Sequence, residues 1–189
     1  MAPASDPGPA LDAFVIAREF GRSDGFEGLR VAIVGDLRHS RVARSNLDVL
    51  TCMGAEVVLV SPPALCLGGA AVGRAVVAHD LDEHLDSVDV LYMLRVQRER
   101  MVAGIVPSLE EYSCRYALDA PRAARLREGA IVMHPGPMNR GVEMRIDPAD
   151  LPGSRILDQV AAGVPVRMAV LSALIGSHAT PRPGGTRGR

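Results

Sequence analysis

Val31-Ala-Ile-Val-Gly35-Asp36-Leu-Arg-His-Ser40-Arg41-Val-Ala-Arg44-Ser-Asn46 is the stretch whose reading decides the fold. Its first four residues are apolar and mostly β-branched, the pattern of a strand buried on both faces of a parallel sheet. The run breaks at Gly35-Asp36. Ser40 then stands where an N-cap opens a helix over residues 40–53, with Gly54 just past its end. In open α/β sheets, ligands bind at the turns that follow the carboxyl ends of strands. This turn carries Arg38, Arg41 and Arg44, which makes it a candidate site for a small anion.

Outward from this unit the alternation repeats. Strands are expected over residues 56–61, stopped by Pro62-Pro63, over 75–78 more weakly, over 89–94 and over 130–133. Helices are expected over residues 10–20, with Leu11, Phe14, Val15 and Ala17 on one stripe, and over 81–85. Another begins at Ser108 in an S-x-x-E capping pattern with Glu111, and another runs over 120–127, opened by Pro121. A last one covers 155–175, where Gly163 and Pro165 predict a kink or a break. Strands alternating with helices imply one domain of α/β class, a doubly wound, mostly parallel sheet with helices on both faces, Rossmann-like.

Composition narrows the function. A net charge of -1 leaves no footprint for nucleic acid or an acidic membrane surface. All 21 basic residues are Arg, which excludes a catalytic lysine within the chain. Cys52, Cys66 and Cys114 are too widely spaced for a zinc site or a disulfide framework, and no His/Cys cluster has metal spacing. Gly35 has no second or third glycine after it, so the dinucleotide fingerprint fails and no cofactor is expected. No positively charged, apolar leader opens the chain and no uninterrupted apolar run is long enough to span a bilayer, so the expectation is a reduced, cytoplasmic protein.

Three strand ends carry polar groups. Arg41 and Arg44 lie three apart on the first turn of a helix, either as solvated arginines, with Arg44 paired to Asp48, or as an anion site. A cation there opposes the helix dipole, and an acidic ligand would account for it. Arg95 and Gln97 follow the fourth strand, where Arg can fork onto a carboxylate and Gln can add an amide contact. The alternative is a charged loop. His134-Pro135-Gly136-Pro137 is a stiff bend whose prolines donate no hydrogen bond, so it offers mostly carbonyls, suited to an ammonium or a carbamoyl amide. It is otherwise a rigid strand exit with a structural histidine. If all the strands are parallel, these three groups meet at one edge of the sheet.

The segments 34–46, 91–100 (Leu-Tyr-Met-Leu-Arg-Val-Gln-Arg-Glu-Arg) and 134–143 (His-Pro-Gly-Pro-Met-Asn-Arg-Gly-Val-Glu) resemble aspartate carbamoyltransferase of the bacterial type. The likeness runs in order over residues 11–176 and covers only the second, aspartate-binding half. The resemblance implies carbamoyl transfer from carbamoyl phosphate to L-aspartate in pyrimidine synthesis. By matched position, Arg41 and Arg95 hold the aspartate carboxylates with Gln97 assisting, Gly136 and Pro137 contact carbamoyl phosphate, and His134 and Arg140 brace the loop. No residue of this chain takes a catalytic role.

On the same resemblance the chain divides into a loose tail (1–9), a linking helix (10–26), an aspartate-binding α/β domain (27–150), a C-terminal helix (151–176) and a disordered tail (177–189). The family's phosphate loop and lysine-bearing loop have no match, so the chain alone is expected to be inactive or nearly so. Leu11, Phe14 and Val15, with Val160, Val164, Met168, Leu171 and Leu174, are then expected to be partly exposed. They would associate with a carbamoyl-phosphate domain or with a second copy. The rival expectation is a non-catalytic amino-acid-binding or regulatory module of the same fold.

Overall fold

The computed structural model describes residues 8–96 and 108–178. Five strands, β1 (Arg30–Val34), β2 (Glu56–Val60), β3 (Val76–Ala78), β4 (Val90–Met93) and β5 (Ile131–Met133), form one sheet in the order β3-β2-β1-β4-β5. Every pairing is parallel, with Val31 opposite both Val57 and Val90, and Tyr92 opposite Met133. The helices are α1 (Gly8–Glu19), α2 (Arg41–Cys52), α3 (Leu109–Tyr116), α4 (Ala120–Ala123) and α5 (Ile156–His178).

Side chains alternate across each strand and so feed two cores. Val31, Ile33, Leu59, Val90, Tyr92 and Met133 pack with Val15 and Ile16 of α1, Leu47 and Leu50 of α2, and Ala162 of α5. Ala32, Val34, Val58, Val60, Leu91 and Met93 pack the other way, with Leu81, Leu85, Tyr112, Tyr116 and Met144. Fully burying one such aliphatic side chain contributes about 1.5–3 kcal/mol, and β1, β2, β4 and β5 do so on both faces, whereas the edge strand β3 leaves Val76 and Val77 exposed. That is why these strands read as continuous apolar runs and not as alternating ones.

Local signals hold where the chain has a cap to follow. Ser40 Oγ accepts the Ala43 N–H at 3.1 Å and opens α2, and Ser108 Oγ accepts the Glu111 N–H at 3.2 Å and opens α3. Four expectations are corrected. Residues 81–85 form turns, not a helix, since the bonds there span three residues (His84 N–H to Leu81 O, Ser87 N–H to His84 O). The helix after Pro121 ends at Ala123, where three-residue bonds from Arg125 and Leu126 take over.

Helix α1 starts two residues early, at Gly8-Pro9, and buries Asp12, Ala13, Val15 and Ile16, leaving Phe14 45% exposed. Helix α5 continues through Gly163 and Pro165 to His178 without a break. Pro165 lies on its exposed side, where the Ala161 carbonyl that loses its partner also meets water. Against the expectation that no apolar run is long enough to span a bilayer, residues 156–175 form a helix long and apolar enough to do so by length and composition, with a mean hydropathy of 1.3. Ile156, Gln159, Ala162 and Gly163 are nonetheless buried in the fold.

Asp82, within the segment expected as a helix, anchors the 81–88 turns. It accepts Arg122 Nε at 3.1 Å and Nη2 at 2.8 Å, and Arg125 Nη1 at 2.9 Å. The hydrogen bond from Arg122 holds the Asp82 carboxyl below its ordinary 3.8. A depressed carboxylate contributes stability that is complete above the ordinary value and is lost as pH falls through the folded one. In urea titrations between pH 5 and about 2.5, Asp82→Asn is therefore expected to flatten the acid loss of stability, and an unchanged slope would refute the anchor.

Candidate functional site

The chain leaves β1 toward β2 and β3, then crosses back to β4 and β5 on the other side. The connections after β1 and β4 thus run in opposite directions, which makes the carboxyl edge between them the switch point of a doubly wound sheet, where ligands bind in such folds. Arg41 is the first residue of α2, after β1. Arg95 follows β4 by two residues, and the 134–137 bend follows β5 directly. The three groups expected to converge do share the carboxyl edge of three neighbouring strands.

Gly35 lets the two exits approach. Its N–H donates to Val60 O at 3.0 Å, while Leu94 N–H donates to Val34 O at 2.8 Å. At φ +131°, a Cβ on residue 35 would stand 3.0 Å from Leu94 Cβ and 3.2 Å from the Tyr112 hydroxyl. Glycine alone fits both the angle and the space.

Behind Gly35 the turn is self-bonded. Buried Asp36 accepts the His39 N–H at 3.1 Å, and its Oδ1 lies 2.9 Å from His39 Nδ1. Arg44 does not pair with Asp48. Its Nη2 donates to Arg38 O at 2.6 Å and braces the turn. Arg41 is exposed and makes no side-chain hydrogen bond or ion pair among the described residues. Arg95 is likewise exposed and unpaired there, although Leu94 and Val96 beside it are buried. Gln97 lies outside the described residues.

His134 is 2% exposed. Its backbone N–H donates to Gln159 Oε1 at 2.9 Å, and its Nδ1 accepts the Gly136 N–H at 2.9 Å. In a neutral ring the proton then sits on Nε2, which faces Glu143 Oε1 at 3.5 Å, both side chains wholly buried. Neither ring nitrogen is open to solvent as a general base would be. Pro135, Gly136 and Pro137 are exposed, Gly136 has φ +58°, and the Gly136–Pro137 peptide is cis. Among the described residues no donor reaches their carbonyls, which remain open to a ligand N–H. Arg140 Nη1 donates to Asp147 Oδ2 at 2.8 Å.

A residue that sequence reasoning missed joins these parts. Asp12 of α1 is 4% exposed and accepts Asn46 Nδ2 at 2.8 Å, Tyr92 Oη at 2.7 Å and Gln159 Nε2 at 2.8 Å. Burial, then the Asp12 carboxylate, push the Tyr92 phenol well up. Through Asn46, Tyr92 and Gln159 it ties α1 to α2, β4 and α5, and Gln159 passes the connection to His134. A cleft of about 400 Å³ opens beside it, lined by Val42, His134, Pro135, Gly136, Gln159 and Arg167 among others. The partners of Asp12 are 34, 80 and 147 residues away, so no local pattern announces it.

Residues 27–174 match the family model described as aspartate/ornithine carbamoyltransferase, Asp/Orn binding domain. The aspartate carbamoyltransferase catalytic subunit of Thermobifida fusca (strain YX) is 55% identical over 174 residues, 92% of this chain and 54% of that protein. Among solved structures, the catalytic subunit of M. jannaschii aspartate transcarbamoylase is similar with a TM-score of 0.77 and 32% identity, over 93% of this chain and 57% of that one. The Trypanosoma cruzi aspartate transcarbamoylase in complex with N-(phosphonacetyl)-L-aspartic acid gives 0.75 and 30%, over 87% and 54%. The chain spans about half the length of the curated relatives it matches. With this match laid over a five-stranded sheet whose switch point carries two exposed arginines, the chain belongs to the aspartate/ornithine carbamoyltransferase family, and what it shares with that family is the Asp/Orn binding domain.

Proposed function

We propose that this chain supplies the L-aspartate-binding half of an aspartate carbamoyltransferase. The reaction moves the carbamoyl group of carbamoyl phosphate onto the amine of L-aspartate, giving N-carbamoyl-L-aspartate and phosphate for pyrimidine synthesis. The observation that supports this most is the pair Arg41 and Arg95, exposed and without partners among the described residues, on the two sides of the switch point. Each guanidinium takes one carboxylate through two parallel hydrogen bonds, with Gln97 assisting. The open carbonyls of Gly136 and Pro137 take the carbamoyl N–H groups. His134, through Gln159 and Gly136, and Arg140, through Asp147, brace that bend.

The amine attacks the carbamoyl carbon, a C–N bond forms, the C–O bond to phosphate breaks and the amine loses a proton. Holding the two reactants together and stabilising developing charge supply most of the rate in such a transfer. This chain contributes the first and, lacking any lysine, little of the second. The polypeptide of residues 1–189 is therefore expected to need a carbamoyl-phosphate-binding domain. The exposed apolar side chains Phe14, Val160, Val164, Met168, Leu171 and Leu174 offer that domain, or a second copy, a docking face. Three free thiols fit a cytoplasmic setting.

The test is to mix the chain with a separately prepared carbamoyl-phosphate-binding domain and follow N-carbamoyl-L-aspartate formation. Turnover on mixing, and little from either part alone, is the expected result. Binding of L-aspartate with no turnover under any mixture would favour a non-catalytic module, and no binding at all would refute both.

A further inference from the structure

We propose that Asn139 is a positioning residue that fixes the separation between the arginine rim and the carbonyl bend; this rests on the aspartate reading above. The β4–β5 ladder ends at the pair Tyr92 and Met133, and beyond it no backbone hydrogen bond joins the two exits among the described residues, although Val96 shares a core cluster with Met138 and Val142. Among the described residues a single hydrogen bond rejoins them: Asn139 Nδ2 donates to Val96 O at 2.8 Å. Val96 is 1% exposed and is the neighbour of Arg95.

The other end of Asn139 is held just as firmly. Its backbone N–H donates to Glu143 Oε1, the carboxylate oxygen that also faces His134 Nε2 at 3.5 Å. Glu143 is wholly buried, and its second oxygen has no partner among the described residues. Burial, with the nearby carboxylates of Glu143 and Asp36, pushes the Tyr112 phenol up. The route His134, Glu143, Asn139, Val96 therefore closes a clamp across the two half-sites, with Asn139 as its only member that reaches both exits.

A ligand that fills one half-site does not sense the clamp. One that spans both does, because its affinity depends on the arginine and the carbonyls standing at a fixed distance. Succinate carries only the two carboxylates, whereas N-carbamoyl-L-aspartate adds the carbamoyl amide.

The experiment titrates both compounds into the 189-residue chain by amide NMR, for the natural sequence, Asn139→Ala and Asn139→Asp. Asn139→Asp keeps the shape and the backbone bond to Glu143 but cannot donate to the Val96 carbonyl. The preference for N-carbamoyl-L-aspartate over succinate is expected to fall about 10-fold in both variants, with succinate affinity in Asn139→Ala within about 2-fold. An equal loss for both compounds in Asn139→Ala, or an unchanged preference in folded variants, overturns the clamp. A natural chain that binds neither compound overturns the aspartate reading itself, and the role of Asn139 with it.

Discussion

Asp12→Ala is expected to lower the unfolding free energy by about 3–5 kcal/mol, the largest effect of any single change considered for this chain. The carboxylate accepts three buried donors, from Asn46, Tyr92 and Gln159, and its removal takes that acceptor from all three. A buried donor left without a partner costs about 1–3 kcal/mol. Set against a net stability of about 5–15 kcal/mol, the loss brings the chain close to its unfolding threshold. Asp12→Asn keeps the shape but turns a donor toward the donors, so an intermediate loss of about 2 kcal/mol is expected. Guanidinium denaturation followed by circular dichroism checks both, and a loss under about 1 kcal/mol for the alanine variant would show that the junction is not what holds α1 and α5 together.

Arg95→Ala is expected to weaken L-aspartate binding by about 100-fold or more, and Arg41→Ala by a similar amount. Both side chains lack partners among the described residues, so their removal orphans nothing and leaves stability nearly unchanged. Arg95→Lys keeps the charge and loses the two-point fork, which predicts about a 10-fold loss. Calorimetric titration of L-aspartate, beside thermal melts of the same samples, separates the two readouts. A change in affinity under about 3-fold for either alanine variant would remove that arginine from the aspartate site.

Residues 31–46 show what a sequence can reveal unaided. Most of what shapes them is local, a β-branched run and a serine that caps the helix three residues on, while the glycine between answers to Leu94 and Tyr112 far along the chain. The other strands were legible for a related reason, since burial on both faces leaves an apolar run that needs no partner to be recognised. The shared edge of Arg41, Arg95 and the 134–137 bend followed once the strands were read as parallel.

What escaped depends on neighbours far along the chain. Asp12 sits in an apolar stripe and gives no local sign that three donors wait for it. Glu143 reads as one more charge in a loop, yet it is wholly buried between His134 and Asn139. Pro165 predicts a break that solvent on its side of α5 averts. Arg44 looked free to pair with Asp48, but the turn before it offered a nearer carbonyl.

The crossing from β3 back to β4 has a bearing on how the molecule matures. Contacts at that junction join segments about sixty residues apart, such as Val31 and Val90, so they carry the loop-closure cost of long-range pairing. The rim is complete only when both halves of the sheet are paired. A dicarboxylate consequently recognises the finished chain alone, and occupancy at 100 times its dissociation constant adds about 2.7 kcal/mol against unfolding. On the proposed reading, L-aspartate is then a folding ligand as well as a substrate.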